Sequence, residues 1–536
     1  MAQLCQSSPS GTSQENRDIL APAGSAVANS AVFFKEAFMS RVLLAIFLIL
    51  FTTPRAFTLS SEEFAKPPRL VVVLVIDQFR SDYLTRFEKK FLPAGTAKNP
   101  GGFRFLMKES AYFPFAEYDS FQNMTCPGHA TIATGSRPVH FGFSTNAWYD
   151  DQTQKTSDCT EDSVYGQSPH FLRTTTFGDE LRLISPLSKV FSVALKARAA
   201  IMLGGHRANL ALWLKDGQIT TSDFYQKGKV PDWVTRLNEE LKKQTNTSEA
   251  DLVGSVRDTQ LTFRMATKIL ETERLGRGAD PDVLLISLSS HDLLGHARGP
   301  NHRDMMDLTL AEDKALAQFL KFLTKHMDGL SGVTIAVTGD HGIPPAEEEL
   351  RSTGPAAGDL DMNSILAQAN RKLDEKFGAP GKSPWILAAE GFHIHLNHPL
   401  MHAKKISPAD VENEIRQVLL RSEGVADVFT RSDAEARRFP PGFLGEQVKN
   451  SYVADKDGDV LIIPRPFISA KGPHVVNHIT GYSYDRSVPL LIFGPHIKPG
   501  VYSGAKVIDL APTLSFMLRT IPPATCEGKV RQEIFK

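Results

Sequence analysis

The stretch Leu70-Val71-Val72-Val73-Leu74-Val75-Ile76-Asp77 predicts a strand at the centre of a sheet. Its apolar residues follow one another without a polar interruption, which is typical of a strand covered on both faces. Similar runs occur at 190–195, 283–287, 333–337 and 488–493, and amphipathic segments such as 303–326 and 408–420 lie between them. The alternation predicts an α/β fold in which a mostly parallel central sheet is sandwiched by helices.

Two stretches rich in Gly, Pro, Asp and Ser, 141–170 and 345–382, interrupt this alternation. They predict loops or inserted caps rather than linkers between domains. No repeat of fixed period is present in the sequence, which excludes a repeat architecture. We therefore expect residues 57–536 to form one domain with insertions.

The composition is balanced in charge. The chain has 536 residues, with 60 Lys and Arg against 60 Asp and Glu. A chain without an excess of positive charge has no overall field that attracts DNA, RNA or an acidic membrane. Nucleic acid is therefore not expected as a specific partner.

The N-terminal region has the pattern of a secretory signal. Residues 42–51 are all apolar and follow Lys35 and Arg41, and the run is too short to span the roughly 30 Å hydrocarbon core of a bilayer. We expect a start at Met39, a signal peptide over 39–56, and a non-native or disordered extension over 1–38. The mature protein is then periplasmic or extracellular, with an uncleaved membrane anchor as the alternative.

The four cysteines do not form a metal-binding or disulfide framework. Cys5, Cys126, Cys159 and Cys526 lack C-x-x-C spacing, which argues against a structural zinc site. At most one bridge is expected, between Cys159 and Cys526, and Cys126 is interpreted as a packing residue.

Polar side chains follow the apolar runs, at the edge where a parallel sheet binds its ligands. Asp77 follows the first run, and Asp340 and His341 share a glycine-flanked turn after the fourth. Asp292 and His296 follow the third run and are four positions apart, so on a helix they would share one face.

His478 lies just before the last run and completes this set, with His474 as its nearby competitor. Oxygen and nitrogen ligands without thiolate suit catalytic zinc. Six such ligands exceed one tetrahedral centre, so we predict two zinc ions. Taken singly, each residue could instead be a turn residue, a helix cap or an exposed histidine.

Thr125 is the candidate nucleophile. It lies two residues before Pro127, which is tolerated in the first turn of a helix. Free backbone amides, the helix dipole and a bound metal would all favour its alkoxide. The alternative is a threonine that only caps the helix.

Five motifs in order carry a family resemblance. They are Asp77, Thr-Cys-x-Gly-His-Ala at 125–130, Asp-x-x-x-His at 292–296, Gly-Asp-His-Gly at 339–342, and His478 before Tyr-x-Tyr-Asp. Together they resemble the alkaline phosphatase superfamily, and more narrowly the exported bacterial phosphate-irrepressible alkaline phosphatases and their type I phosphodiesterase/nucleotide pyrophosphatase relatives. The similarity covers roughly residues 70–520.

The resemblance implies a specific assignment of ligands. One zinc ion would be held by Asp77, Thr125, Asp340 and His341, and a second by Asp292, His296 and His478. Segment 509–514 would begin the C-terminal helix of the family.

Two basic residues bear on the choice between phosphate monoesters and diesters. Lys196 and Arg198 are two apart at the predicted end of a strand, so they are expected to share a face and to bind an anion. An ordinary exposed strand end is the alternative. In the monoesterases that the chain resembles, Lys-x-Arg and an asparagine matching Asn146 hold the phosphoryl group, and diesterase relatives generally lack the Lys-x-Arg pair.

The sequence thus predicts a zinc-dependent phosphomonoesterase that acts on small phosphate esters through a phosphothreonine at Thr125. A phosphodiesterase or nucleotide pyrophosphatase of the same superfamily is the main alternative. A sulfatase is disfavoured because Cys126-Pro127-Gly128-His129 does not fit the sulfatase pattern C/S-x-P-x-R. A non-catalytic secreted metal-binding protein is the remote alternative, and the oligomeric state is not predicted.

Overall fold

The computed structural model describes residues 66–243, 254–354, 356–470, 472 and 474–536. Its largest element is a nine-stranded sheet. From one edge to the other the strands are Gln218–Thr220, Leu210–Lys215, Val190–Val193, Asp282–Leu288, Leu70–Ile76, Val333–Gly339, Ser487–Phe493, Ala111–Glu117 and Gly500–Val501. Leu70–Ile76 is the central strand, as its sequence predicts.

Most strands of this sheet are parallel. Leu70–Ile76 pairs in parallel with Asp282–Leu288 on one side and with Val333–Gly339 on the other. Ser487–Phe493 and the edge strand Gln218–Thr220 run antiparallel to their neighbours. The predicted α/β fold with a mostly parallel sheet is confirmed, and the strands begin and end within two residues of the predicted runs.

The central strand is buried because helices cover both faces of the sheet. Its even-numbered residues point into one apolar core and its odd-numbered residues into another, since successive side chains of a strand point to opposite faces. The helices around the sheet are Tyr83–Phe87, Phe103–Glu109, Thr125–Thr134, Pro138–Phe141, Phe177–Ile184, Ala197–Gly204, Asp232–Lys243, Val256–Thr272, Ser290–Arg298, Arg303–His326, Glu347–Thr353, Ser483–Arg486 and Leu510–Leu518.

A second, smaller sheet is formed by the part of the chain between strands Val333–Gly339 and Ser487–Phe493. Its four antiparallel strands are Ile386–Glu390, His393–Leu396, Val460–Pro464 and Val425–Thr430. The helices of this region are Met362–Phe377, His398–Lys404, Pro408–Leu419, Arg431–Glu435 and Phe443–Ser451. They build a separate apolar core with the small sheet.

The two predicted insertions differ in structure. Segment 141–170 contains two short hairpins, Ala147–Asp150 with Lys155–Asp158 and Glu161–Asp162 with Gly166–Gln167. Segment 345–382 is mostly helical, because it contains Glu347–Thr353 and Met362–Phe377. The expectation of a loop for that segment is therefore wrong.

The predicted amphipathic helices match the structure closely. The helix predicted over 303–326 is observed as Arg303–His326, and that over 408–420 as Pro408–Leu419. The predicted extension and signal peptide, 1–38 and 39–56, lie outside the described residues. Within the described part of the chain, no helix has the length and apolarity needed to span a bilayer.

The disulfide differs from the expected one. Cys126 is bonded to Cys159, and Cys526 is free. Cys526 lies against Gly135, at the far end of the helix that begins beside Cys126, whereas the hairpin 147–158 returns the chain to the start of that helix. The expected Cys159–Cys526 bridge is therefore wrong. Cys126 is buried in the apolar core, as its interpretation as a packing residue predicts, and it is also one end of the bridge.

Candidate metal centre and active site

The strands of the large sheet bring polar residues to one edge. Asp77 follows the central strand directly, and Asp340 and His341 follow its neighbour Val333–Gly339. The polar side chains of these residues are fully buried. Parallel strands place their carboxyl ends at the same edge of the sheet, so the three residues meet.

Two further elements reach the same edge. Asp292 and His296 lie on Ser290–Arg298, the helix that follows strand Asp282–Leu288. His478 precedes Ser487–Phe493, which runs antiparallel and therefore begins where the parallel strands end.

Asp292, His296 and His478 form the first group of converging ligand atoms. The Oδ1 atom of Asp292 lies 3.2 Å from Nε2 of His296 and 3.2 Å from Nε2 of His478. Asp292 and His296 share a helix face, as their spacing predicts. The three atoms have the chemistry and the separation of ligands to one cation.

Asp77, Asp292 and His341 form a second group, in which the ligand atoms lie within 4.8 Å of one another. Nε2 of His341 is 3.3 Å from Oδ1 of Asp77 and 3.4 Å from Oδ2 of Asp340. Oδ1 of Asp77 and Nε2 of His341 are buried and make no hydrogen bond to another described residue. Buried polar atoms of proteins are nearly always satisfied, so this geometry fits a bound metal ion.

The histidines are oriented as metal ligands are. Each donates its Nδ1–H to a backbone carbonyl: His478 to Asn123 at 2.8 Å, His296 to Val476 at 2.7 Å, and His341 to Gly342 at 3.1 Å. In the neutral form of each ring, Nε2 therefore carries the lone pair, and it faces the carboxylates. A second hydrogen bond of this kind fixes the ring of a metal-bound histidine.

Closely spaced carboxylates shift the pKa values of the residues at this site. Burial and the nearby Asp77 raise the pKa of Asp340. Burial disfavours protonated His341, but Asp340 and Asp77 outweigh it and raise the pKa of His341 to about 9. The crowded carboxylates thus favour protons at this site, and a bound metal ion would displace those protons.

Lys196 places an ammonium group at the junction of the two ligand groups. Its Nζ donates to Oδ2 of Asp77 at 2.6 Å and to Oδ2 of Asp292 at 2.5 Å. Burial disfavours the charged amine, but the two carboxylates raise the pKa of Lys196 above its usual value. Lys196 is therefore a fixed positive charge inside the site.

The predicted position of Lys196 and Arg198 on a strand is wrong. The strand ends at Val193, Lys196 precedes the helix Ala197–Gly204, and Arg198 lies in its first turn. The strand leaves the sheet before Lys196, so the helix can begin directly after this residue. Nη1 of Arg198 lies 3.4 Å from Oδ2 of Asp158, and Arg198 is near enough to Lys196 to perturb the pKa of that amine.

Thr125 begins the helix Thr125–Thr134, as predicted. It is 2% exposed. Chain neighbours on either side of it touch the ligand residues: Asn123 accepts the hydrogen bond from His478, and Gly128 packs against the backbone of Asp340. Thr125 is therefore held beside the ligand groups with the free amides of its helix.

Asn146 also contacts this helix. Its Oδ1 accepts the backbone N–H of Cys126 at 2.8 Å. The side chain thus caps the helix that begins at Thr125, and its Nδ2 is the part that can donate to an anion.

Gln78 is a site residue that the motifs did not reveal. Its backbone N–H donates to Oδ1 of Asp340 at 2.9 Å, and its side-chain Nε2 donates to Oδ1 of Asp292 at 2.8 Å. These two bonds connect Gln78 to both ligand groups. The backbone φ angle of Gln78 is 65°. An uncommon backbone angle of this kind does not show in a sequence.

His129 is a second residue whose role the sequence did not assign. It belongs to the motif at 125–130 and is fully buried. Its Nδ1 lies 2.8 Å from the carbonyl of Thr125 and 3.1 Å from Oδ2 of Asp340, and its Nε2 lies 2.8 Å from Oγ of Ser287. His129 therefore connects the first turn of the Thr125 helix to the turn that carries Asp340.

His474, the competitor of His478, lies outside both ligand groups. It is exposed and stacks on the ring of His296 with 4.4 Å between centroids. Of His474 and His478, it is His478 that contacts Asp292.

The fold has a close structural relative. A crystal structure of wild-type alkaline phosphatase PafA matches with a TM-score of 0.80 and 27% identity, over 88% of this chain and 99% of that one. A PafA variant matches with a TM-score of 0.80 and 26% identity; it carries a Thr to Ser substitution and Asn, Lys and Arg substitutions to Ala. The chain is a member of the alkaline phosphatase superfamily, as its motifs predict.

The sequence comparisons identify the family. Its profile, type I phosphodiesterase / nucleotide pyrophosphatase, matches residues 71–468, and the chain belongs to this family. Alkaline phosphatase PafA of Elizabethkingia meningoseptica is 28% identical, over 87% of this chain and 94% of that protein. A Myroides odoratus protein named calcium-transporting ATPase is 29% identical, over 86% of this chain and 93% of that protein.

Proposed function

We propose that this protein is a zinc-dependent phosphomonoesterase that hydrolyses small phosphate esters. The observation that carries the proposal is the ammonium group of Lys196 at the junction of Asp77 and Asp292, with Arg198 close by. A terminal phosphoryl group exposes one more charged oxygen than a diester does. Fixed cations beside the ligand groups favour that extra charge.

The named relatives support this choice. The replaced Thr and Asn of the PafA variant are 21 positions apart in that protein, and the replaced Lys and Arg are two apart. Thr125 and Asn146 are likewise 21 apart, and Lys196 and Arg198 two apart. We infer that these four residues contact the phosphoryl group in this protein.

The two ligand groups fit two zinc ions. We assign Asp77, Thr125, Asp340 and His341 to one ion, and Asp292, His296 and His478 to the other. Bound there, the ions would supply positive charge that stabilises the attacking and leaving oxygens. Asp292 belongs to both groups of converging atoms, as expected for two ions that lie side by side.

In the proposed reaction Thr125 loses its hydroxyl proton and its oxygen attacks phosphorus. The bond to the leaving oxygen breaks, that oxygen takes up a proton, and a phosphothreonine forms. Lys196, Arg198 and Asn146 hold the remaining phosphoryl oxygens while this happens. Water then attacks phosphorus, phosphate leaves, and the Thr125 hydroxyl is restored.

A phosphodiesterase is the second candidate, because the matching family profile carries that activity in its description. Substrate comparison decides between the two.

We also propose that the protein is exported. The Cys126–Cys159 disulfide supports this, since disulfides persist mainly in oxidising compartments. The signal peptide at 39–56 remains part of the proposal, and fractionation of cells that express the full chain tests it.

Replacement of the nucleophile tests the reaction. Thr125→Ala should lower turnover of an aryl phosphate by roughly 10³-fold or more, since a nucleophile cannot be bypassed cheaply. Zinc content, measured on the same preparations, should stay close to that of the wild type. Thr125→Ser is the matched control, because it keeps the hydroxyl and should keep measurable turnover. Substantial activity of a fully metallated Thr125→Ala protein would remove Thr125 from this role.

Replacement of the basic pair tests the substrate class. A Lys196→Ala, Arg198→Ala double variant should lose roughly 10²-fold or more on an aryl phosphate and much less on a bis-aryl phosphate. Steady-state kinetics on both substrates, with and without chelator, provide the measurement. An equal loss on the two substrates would contradict the monoesterase proposal and favour the diesterase.

A further inference from the structure

We propose that the Cys126–Cys159 disulfide, with Asp158, is a clamp that positions Asn146 and Arg198 relative to Thr125. The inference rests on the proposed function, because it concerns how that site holds a phosphoryl group. It assigns a role to residues that sequence motifs and metal chemistry leave unused.

The disulfide joins two elements of the site at their ends. Cys126 follows Thr125 directly, in the first turn of the helix. Cys159 follows Asp158, the last residue of the hairpin 147–158. The bond therefore ties the start of the Thr125 helix to the base of this hairpin.

Asn146 lies at the same base and is held from two sides. Its Oδ1 accepts the N–H of Cys126 at 2.8 Å, and its backbone carbonyl accepts the N–H of Cys159 at 2.9 Å. Both hydrogen bonds come from the two cysteines of the bridge. The position of the Asn146 side chain thus depends on the bridge directly.

Asp158 extends the clamp to Arg198. Its Oδ1 accepts the N–H of Thr160 at 3.1 Å and the hydroxyl of Thr160 at 2.9 Å, and its Oδ2 lies 3.4 Å from Nη1 of Arg198. Thr160 is buried, so the residue that binds the Asp158 carboxylate is itself held in place by packing.

The guanidinium of Arg198 has a donor to spare. Its Nε is buried and makes no hydrogen bond to a described residue. One edge of the guanidinium therefore faces Asp158, and the Nε edge is left for an acceptor that the described residues do not provide. A phosphoryl oxygen has the charge and geometry for it.

The clamp is a fixed structural link rather than a switch. Both of its cysteines are fully buried, which shields the bond from reductants in solution. Without it, Thr125 and Arg198 would be related through the packing of their two helices against each other. Misplacement by about 1 Å of a group that positions a substrate can lower the rate about 100-fold.

The test compares seven variants with the wild type. Three of them alter the clamp or serve as its control: the double variant Cys126→Ala, Cys159→Ala; the variant Asp158→Asn; and the control Cys526→Ala, which removes a cysteine outside the clamp. The other four are Arg198→Ala alone and Arg198→Ala combined with each of these three. Thermal unfolding and zinc content identify any protein that fails to fold or to bind metal. Asp158→Asn leaves the disulfide in place, so it tests the clamp even where the double cysteine variant does not fold.

The expected result is a selective loss. In the double cysteine variant and in Asp158→Asn, kcat/KM on an aryl phosphate should fall about 10- to 100-fold, with much less effect on a bis-aryl phosphate. Inorganic phosphate should bind more weakly, as measured by calorimetry. Arg198→Ala should then cost far less than it costs in the wild type, because Arg198 is already displaced. Cys526→Ala should match the wild type within about twofold.

Two outcomes would overturn the clamp. One is an Arg198→Ala loss that is the same factor with and without the clamp, and the other is an equal loss on both esters. Failure of the proposed function gives a different pattern: the wild type would then prefer the diester, while phosphate affinity would still fall in the clamp variants.

Discussion

Gln78 forms hydrogen bonds to carboxylates of both proposed ligand sets, although it is not itself a ligand. Its backbone amide fixes Asp340 and its side chain fixes Asp292. To do both it adopts φ 65°, a conformation that costs a residue with a side chain roughly 1–2 kcal/mol. We infer that this strain is tolerated because the two hydrogen bonds orient carboxylates of both groups.

Gln78→Gly isolates the side chain from the backbone angle. Glycine adopts a positive φ readily, so the variant should keep its fold while losing the hydrogen bond to Asp292. Loss of such a supporting bond lowers metal affinity about 10- to 100-fold. Competition with a chelator of known affinity measures it. If the zinc affinity is unchanged, Gln78 does not support the Asp292 group.

The residues of the site divide sharply in what the sequence could predict. Asp77, Asp340 and His341 could be found because they follow apolar runs directly. Gln78 could not, because its position requires a glycine at position 295: a Cβ atom there would lie 1.7 Å from Oε1 of Gln78. This requirement concerns a residue far away in the chain, so the sequence around Gln78 does not show it.

At the scale of elements, the Thr125 helix approaches the Asp340 turn as closely as two backbones can. Gly128 lies in the first turns of that helix, and a Cβ atom on it would be 2.5 Å from the carbonyl oxygen of Asp340. Helix and turn therefore have one relative position. The nucleophile and the ligands are held together by this contact.

Gly128→Ala should move the helix and lower kcat. Alanine is a better helix former than glycine by up to about 1 kcal/mol, so the helix itself should not weaken. A shift of about 1 Å at the nucleophile should lower kcat roughly 100-fold. Kinetics and zinc content of the variant measure this.

Gly358→Ala serves as its control, since no atom lies within 4 Å of the added methyl group there. We expect Gly358→Ala to behave as the wild type. Normal turnover of Gly128→Ala would show that the contact between helix and turn is not needed.

The sequence predicts elements better than their ends. Strand positions followed from unbroken apolar runs, because both faces of the strand are buried. The end at Val193 did not, since Ala194 and Leu195 are also apolar and buried and still form backbone hydrogen bonds to strand Leu210–Lys215. That is why Lys196 and Arg198 were assigned to a strand and are found at a helix start. The partner of Cys159 was equally unpredictable, because a hairpin decides it.

At the scale of the whole molecule, the small sheet supports the segment that leads to Thr125. Nε2 of His393 donates to Oε1 of Gln122 at 2.9 Å, and the N–H of Phe121 donates to Oγ of Ser451 at 2.7 Å. These contacts cross from the small-sheet region to the chain before the nucleophile. The small-sheet region thus contacts the chain segment that carries the proposed nucleophile.

Asp457 makes a similar link and should give the stability a pH dependence. It accepts the hydroxyl of Ser144 at 2.5 Å and the N–H of Val453 at 2.7 Å. Burial raises the pKa of Asp457 to about 7, although these hydrogen bonds oppose the shift. The folded protein therefore binds a proton that the unfolded chain, with a pKa near 3.9, has lost.

The sign follows from that difference. Between about pH 4 and pH 7 the folded state holds more protons at Asp457, so its contribution to the free energy of unfolding falls as the pH rises. Above pH 7 the buried carboxyl is ionised, and for a shift of this size this lowers the free energy of unfolding by about 2–4 kcal/mol.

Asp457→Asn should remove this term, because an amide is neutral at every pH and can still accept from Val453 and bond to Ser144. The variant should match the wild type near pH 5 and exceed its free energy of unfolding by about 2–4 kcal/mol at pH 8.5. Denaturant titrations at the two pH values measure both proteins under the same zinc concentration. Since zinc binding changes with pH equally in the two proteins, only the difference between them reports on Asp457. Parallel stability curves from pH 5 to 8.5 would mean that the carboxyl is ionised in the folded protein throughout, and that Arg431 and the surrounding dipoles stabilise its charge.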